Sequence, residues 1–500
     1  MKIYGFENVL FINRESFKII KAQGNHSICE FSATINPSDL NTYLQKIGDC
    51  IKVELDEYDN GKKSSYNKVI FNGIISNICT DVSFSETIIN ISSVSFSVFE
   101  DEERYTRIFQ NPDKNFSDLA NVQRLNLKKS EIRINEGLAE RVVRNVVVQN
   151  QETNFEFLKN LSRKIGTRLW INDLDSECVN IVFASKLGKL DEKLSSNDII
   201  SYQKHRSREK NTIKIVAKNY IEIGRIINVL DDPKDYLVIR LSVYYLNKVL
   251  VYSYELTDII ENKETNRTQF SLEKSVVFKA KVKNVTDPDN MGRIQVEFVE
   301  TGFDGVVDMD KECPIWLEYR TPYTGINSGI VFIPDVDDYV DVFYCNEQCY
   351  AYSSYRQNCL NEECQSISDK YIGNNTSQRI IWKKDSLELL SHDNKIILNK
   401  DGIRMIVGES ILSITEKEIQ IQQSSNKLKI DGNNIVADAD NIIQLKGSSE
   451  VLIKADKKVF IGGGNNIDLK SDSRIDIEAD NKLCIESRNV NLKATKVNMN

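Results

Sequence analysis

Four cysteines fall within 20 residues, Cys345, Cys349, Cys359 and Cys364, in the stretch YCNEQCYAYSSYRQNCLNEEC. Four thiolates make a complete ligand set for zinc. The spacing argues against one: Cys-x3-Cys-x9-Cys-x4-Cys has a short central loop and no tight Cys-x2-Cys knuckle. A disulfide formed after export is a second reading. Free thiols are a third, and the expectation is free thiols with no metal and no cofactor. The three histidines, His26, His205 and His392, are far apart, which makes a histidine-based catalytic or metal site hard to build. His392 and Asp393, in SHDNK, read as a solvated turn with no serine or cysteine to complete a triad. Aspartate and glutamate total 73, too many for counting to exclude the carboxylate pair of a glycosidase.

The strongest pattern carries no reactive groups. VLIKADKKVFIGGGNNIDLKSDSRIDIEADNK, from Val451 to Lys482, is four lines of eight residues. In register, seven octads open at Ile435, Ile443, Val451, Val459, Ile467, Ile475 and Leu483. The third column reads Ala437, Leu445, Ile453, Ile461, Leu469, Ile477, Ile485, and the fifth is always Ala, Gly or Ser. Alternation with period two means a strand with one buried face. The small fifth residue marks a bend or a close backbone approach. Asp is frequent in the sixth column, with Asn and Ser in the seventh, as turns require.

A five-residue strand with a three-residue turn buries its apolar face only by stacking on neighbours. A single chain coiled as a solenoid is one solution, but such coils use about 20 residues per turn and several kinds of face. Three identical chains wound together fit one repeating octad better, each supplying one wall of a prism. The expected trimer core is Ile443, Leu445, Val451, Ile453, Val459, Ile461, Ile467, Leu469, Ile475, Ile477, Leu483 and Ile485. Upstream the pattern continues less strictly, at Ile403/Met405, Ile419/Ile421 and Leu428/Ile430. Downstream the spacing falls to seven, at Val490 and Val497, as at a tapering end. IGGGNNID resembles a calcium-binding nonapeptide, but it occurs once and its glycines sit in the octad columns, so a tight corner is expected.

The 500 residues carry a net charge of −8. With no block of basic residues, nucleic acid binding has no electrostatic support. No run of about 18 apolar residues exists to span a membrane. MKIYGFENVLFINRES lacks a signal peptide's long apolar region. Synthesis in the cytoplasm and reduced thiols are the expectation.

Residues 275–350 read as five or so short strands, which suggests a small closed barrel. Asp287 to Gly292 is a turn before the alternating strand Arg293–Phe298. Here a resemblance becomes specific. VTDPDNMGRIQVEF, then PIWLEYRTPYTG, then GIVFIPDVDDYVDVFY, is similar to the OB-fold domain of VgrG-type spike proteins. Asp337-Asp338 stands where that family has Gly-Asp or Gly-Glu. The octads resemble the family's triple-stranded β-helix.

The likeness extends backwards. Arg104 to Asn121, with Phe109-Gln110, and Val146 to Asp173 are similar to family segments. The residues also speak directly: Thr153 and Glu156 form a capping box, Phe157, Leu158, Leu161 and Ile165 an apolar helix face, and Gly166 a helix end. Alternating strands surround this helix. The resemblance implies a mainly β protein with a hub of two β-barrel subdomains at 1–272. An OB-fold domain at 273–365, a linker at 366–379 and an intertwined trimeric β-helix at 380–500 would follow.

By resemblance, the chain is a homotrimeric structural spike of a contractile injection system: type VI secretion, a phage tail or a phage-like injector. The implied partners are a hexameric tail-tube protein at the hub, baseplate proteins, and a small PAAR-like tip protein docked near Val497 and Met499. The target membrane would be pierced transiently, and no enzymatic activity is implied. About 15 residues separate Cys364 from the first apolar repeat strand, too few for the lysozyme domain some relatives insert there. Two rivals are a single-chain β-helix that degrades polysaccharide and a glycan-binding tail fibre.

Overall fold

The computed structural model describes residues 1–498 apart from 7, 60–61, 85, 123–129, 135–139, 141–144, 175–177, 189, 207–210, 231, 259–274, 301–304, 326–327, 346–347, 356–368 and 375. Cys359, Cys364 and Met499 therefore lie outside the described residues, as do the expected boundaries between hub and barrel and between barrel and linker. The chain is mainly β and divides into two compact units, Met1–Cys359 and Leu360–Asn500.

The first unit is built on a twelve-stranded sheet. Two sets of strands, from the first 95 residues and from residues 190–258, are joined where Phe11–Ala22 pairs with Asp235–Leu246. The stretch DYLVIRLSVYYLNKVLVYSYEL is a hairpin of Asp235–Leu246 and Val249–Asp258. Its turn residues Asn247 and Lys248 both have positive φ, 50° and 67°, the backbone that matches the twist of a tight hairpin. Both strand sets feed one core, with Phe6, Phe17, Phe31 and Phe71 from the first and Leu241, Val243 and Tyr254 from the second.

The helix runs Asn154–Ile165 with the capping box present: Thr153 Oγ1 accepts from Glu156 N at 3.1 Å, and Thr153 N donates to Glu156 Oε2 at 3.1 Å. Gly166 closes it at φ 78°, a left-handed conformation that glycine adopts without steric cost. Phe157, Leu158, Leu161 and Ile165 are buried in a second core with the strands Leu169–Ile171 and Val179–Phe183.

Five strands close the barrel, in the order Val276–Asn284, Arg293–Phe298, Ile315–Arg320, Gln348–Tyr355, Tyr339–Cys345. Alternate residues fill it, among them Phe278, Val282, Ile294, Val296, Phe298, Val340 and Val342. The turn before Arg293–Phe298 is tied by one carboxylate. Asp287 accepts from the backbone N–H of Asp289, Met291 and Arg293 at 2.8–3.1 Å and from Arg293 Nη2 at 2.7 Å. The Asp-Pro…Gly-Arg motif is thus a self-bonded turn clamped by its own arginine.

A short strand, Val306–Asp308, leaves the barrel and pairs in parallel with Arg104–Phe109. Ile108, Val146 and Val148 enter the barrel's own core. Next to the pairing, Asp310 Oδ2 accepts from Gln110 N at 2.8 Å and Asn111 N at 3.0 Å, and its other oxygen meets the Lys114 ammonium. Gln110 Nε2 donates to Asp308 Oδ2 at 3.1 Å. The barrel and the segment around Gln110 are therefore joined by a sheet, a core and a polar network together.

Candidate assembly face

The second unit opens with nine strands between Lys370 and Asp438, each hydrogen-bonded to the next in antiparallel hairpins. Eight strand starts, Lys370, Gln378, Ser386, Asn394, Gly402, Ser410, Glu418 and Asn426, are eight residues apart. The period of eight thus begins well before Ile435. Only parts of it show in the sequence, for a geometric reason. Successive antiparallel strands mirror one another, so the residues of one face fall at places two and four of one six-residue strand and three and five of the next. The apolar pairs of one sheet face are Ile380/Trp382, Leu387/Leu389, Ile396/Leu398, Ile403/Met405, Leu412/Ile414, Ile419/Ile421, Leu428/Ile430 and Ile435/Ala437. Their spacing alternates seven, nine, seven, nine.

Registered this way, the side chains form two unbroken lines across the sheet. One runs Ile372, Ile380, Leu389, Ile396, Met405, Leu412, Ile421, Leu428, Ala437. The other runs Trp382, Leu387, Leu398, Ile403, Ile414, Ile419, Ile430, Ile435. The reverse face is mixed: Glu388, Arg404, Ser413, Gln420 and Lys429 share it with Ile381, Leu390, Ile397, Ile406 and Ile411. The apolar lines stay substantially exposed: Trp382 is 44% and Ile421 51% accessible.

From Ile435 the apolar residues of these lines stop alternating and fall eight apart, and the two lines pass into columns one and three. Among the described residues after Asp438 the chain forms no strand pair. It bends at 440–441, 448–449, 456–457, 464–465, 472–473 and 480–481, which are the sixth and seventh columns, then at 488 and 495. The last interval is seven residues, matching the shortened spacing at Val490 and Val497. At the two glycines of the fifth column the bend brings a carbonyl close. A Cβ on Gly447 would lie 2.3 Å from Glu450 O, and one on Gly463 would lie 2.6 Å from Asn466 O.

The twelve core residues expected in columns one and three all lie on this open segment, with Ile467 at 53% and Leu469 at 65% exposed; Val497 is exposed too. Exposed apolar area of this extent is rare on a monomer.

The residues with reactive groups give less. Tyr344 pairs with Cys349, and Cys345 with Gln348, across one hairpin. Burial pushes the Cys349 thiol up to about 12, which keeps it a neutral thiol at neutral pH. The eight described cysteines form no disulfide.

One arrangement leaves no trace in the sequence. His26 Nδ1 lies 2.7 Å from Ser97 Oγ, and His26 Nε2 lies 2.8 Å from Asp101 Oδ2. The three residue types of a hydrolase triad meet, but with the ring nitrogens exchanged relative to a triad, where Nε2 faces the serine. Ser97 is 1% exposed and bonded to Ser95 Oγ at 2.8 Å, so no substrate reaches it. Asp101 also receives the Thr153 hydroxyl. The group ties the turn Phe96–Asp101 to the start of the helix.

Residues 278–350 match the family described as the type VI secretion system/phage-baseplate injector OB domain. No curated protein matches the sequence. Among solved structures, the chain is similar to the E. coli c3393 protein, described as a type VI secretion component with structural similarity to bacteriophage T4 tail proteins gp27 and gp5. The TM-score is 0.50 at 12% identity, over 71% of this chain and 99% of that one. It is similar to a chain of the half-lidded Francisella PdpA–VgrG complex, TM-score 0.50 at 10% identity, over 85% of this chain and 83% of that one. A chain of the lidless PdpA–VgrG complex gives 0.51 at 10% identity, over 85% and 93%. No helix among the described residues is long and apolar enough to cross a membrane. The chain has the VgrG-type fold, and its residues 278–350 match the model of the injector OB-domain family.

Proposed function

We propose that the chain is the trimeric central spike of a contractile injection system, of the type VI, phage-tail or phage-like kind. The supporting observation is the change of spacing at Ile435, from alternating seven and nine to a constant eight, along two uncovered apolar lines. Constant spacing means that successive octads do not reverse as hairpin partners do. Their backbone groups and apolar columns need partners from elsewhere, and two further copies of the chain supply them. Each Ile, Leu or Val of columns one and three, about half or more exposed in the single chain, then gains roughly 1–2 kcal/mol on full burial.

In this reading 1–272 is the hub, which seats on a hexameric tail-tube protein among the baseplate proteins. The OB barrel follows at 273–365, and after the linker 366–379 the segment 380–500 is the needle. Thrust reaches the barrel through the joint at Asp308, Asp310 and Gln110. The needle resists bending because three interwound strands leave few open edges. A small PAAR-like protein caps the end near Val497 and Met499, and the target membrane is pierced mechanically after assembly in the cytoplasm. No residue is assigned a catalytic role.

The test is the native mass of the purified protein with and without mild SDS. A species at three times 57.3 kDa that resists SDS supports the spike. A clean monomer overturns it and makes a single-chain polysaccharide-degrading solenoid the next hypothesis.

A further inference from the structure

A cavity of about 500 Å³ opens between the helix Asn154–Ile165 and the strand Val147–Thr153. That strand is the last of three, after Val306–Asp308 and Arg104–Phe109. Among the described residues no strand lies on its other edge. Val147 and Val148 both line the cavity. Successive residues of a strand point to opposite faces, so a cavity that touches both meets the strand at its edge. At one end the edge is closed. The strand bulges at Gln151, φ 51°, and Arg104 Nη1 donates to Gln151 O at 2.6 Å. Val147–Asn150 stays open to the cavity.

The rest of the lining, from the helix, the strand's own Glu152 and the neighbouring strand's Arg104, is charged. Arg104, Lys159, Arg163 and Lys164 line the cavity against the carboxylates of Glu152 and Glu156. Arg104 engages Glu156 through two bonds of 2.8 and 3.0 Å. Glu152 accepts from Asn160 Nδ2 at 2.8 Å. The lining thus carries more positive than negative charge. A sheet edge on one side and an excess of cations on the other define the ligand. The edge offers N–H and C=O groups at strand spacing, which an extended peptide backbone satisfies. The cations select acidic side chains.

We infer that this groove binds an extended acidic peptide segment of a partner protein. The segment adds as a fourth strand along Val147–Asn150, with its carboxylates set against Lys159, Arg163 and Lys164. The groove is lined by residues of the first unit alone, and its test does not depend on the octads.

The test uses the full-length protein and fluorescence anisotropy. The probes are a labelled seven-residue peptide alternating valine and glutamate, its lysine counterpart, and the acidic peptide N-methylated at alternate residues. The acidic peptide binds saturably, and the lysine peptide does not. N-methylation, which removes the edge donors without altering the protein, abolishes binding. An Arg163→Glu/Lys164→Glu double variant weakens binding about tenfold or more, and its melting curve shows that it is folded. Absence of saturable binding by the acidic peptide overturns the inference. So does equal binding of the N-methylated peptide, or an unchanged affinity in the folded double variant.

Discussion

Ile430 faces Ile435 across the last hairpin of the nine-stranded sheet, and Ile435 is also the first residue of the strict octads. The pair marks the place where one chain stops satisfying its own backbone. Before it, each strand has the preceding strand as its partner. After it, bends recur every eight residues and no strand pair forms within the chain among the described residues.

Ile461→Asp together with Leu469→Asp places two carboxylates per chain in the apolar columns, where burial of an unpaired charge costs several kcal/mol each. Native mass spectrometry should show loss of the trimer while the first unit keeps its melting transition. A trimer of normal stability from this double variant would refute the assignment of columns one and three to the axis.

Lys21 is completely buried, with its ammonium 2.6 Å from Asp173 Oδ1 and 2.9 Å from Glu222 Oε2. It sits on the strand that joins the two halves of the twelve-stranded sheet. Lys21→Met leaves two carboxylates without their cation, and breaking a buried pair in this way costs about 3–5 kcal/mol. Urea unfolding of the purified variant measures it, and an unchanged midpoint would show that the carboxylates find other partners.

Asp337 stands where the resemblance has glycine, and its φ is 74°. Its Oδ1 lies 2.7 Å from Lys281 Nζ, an exposed pair of small worth. The backbone conformation is the larger cost for a residue with a Cβ. Asp337→Gly should raise the melting temperature by a few degrees, whereas Asp337→Ala, which keeps the strain and loses the ion pair, should lower it. Equal melting of all three would remove strain from the account.

Burial, with Asp310 alongside, raises the Asp308 carboxyl to about 6. For an acid raised on folding, both states hold the proton below the unfolded value of about 4. Between about 4 and 6 the unfolded chain alone has released it, so rising pH costs stability there. Above about 6 the penalty is complete and flat. Asp308→Asn cannot ionise. The variant's stability relative to the native protein should therefore move in its favour as pH rises from about 4 to about 6 and stay constant beyond. Chemical denaturation at four pH values reads this out, and a pH-independent difference would contradict it.

Local features are legible in the amino-acid sequence by itself. The capping box of Thr153 and Glu156, the left-handed Gly166 and the Asp287 turn each depend on residues within a few positions. The octads are legible because strand alternation and a bend every eight residues are also local. The antiparallel strands before Ile435 show in the sequence only as fragments. Pairing mirrors the apolar places of one face from strand to strand, and a single constant period misses half of them.

What only the tertiary structure decided involves residues far apart in the chain. Gln110 meets Asp308 and Asp310, Lys21 meets Asp173 and Glu222, and His26 meets Ser97 and Asp101. Their partners are chosen by how the sheet brings distant strands into register, and hydrogen-bond geometry leaves no periodic trace in the sequence. The open edge at Val147–Asn150 is of the same kind. A strand shows its own alternation in sequence, but whether a neighbour lies beside it is a property of the assembled sheet.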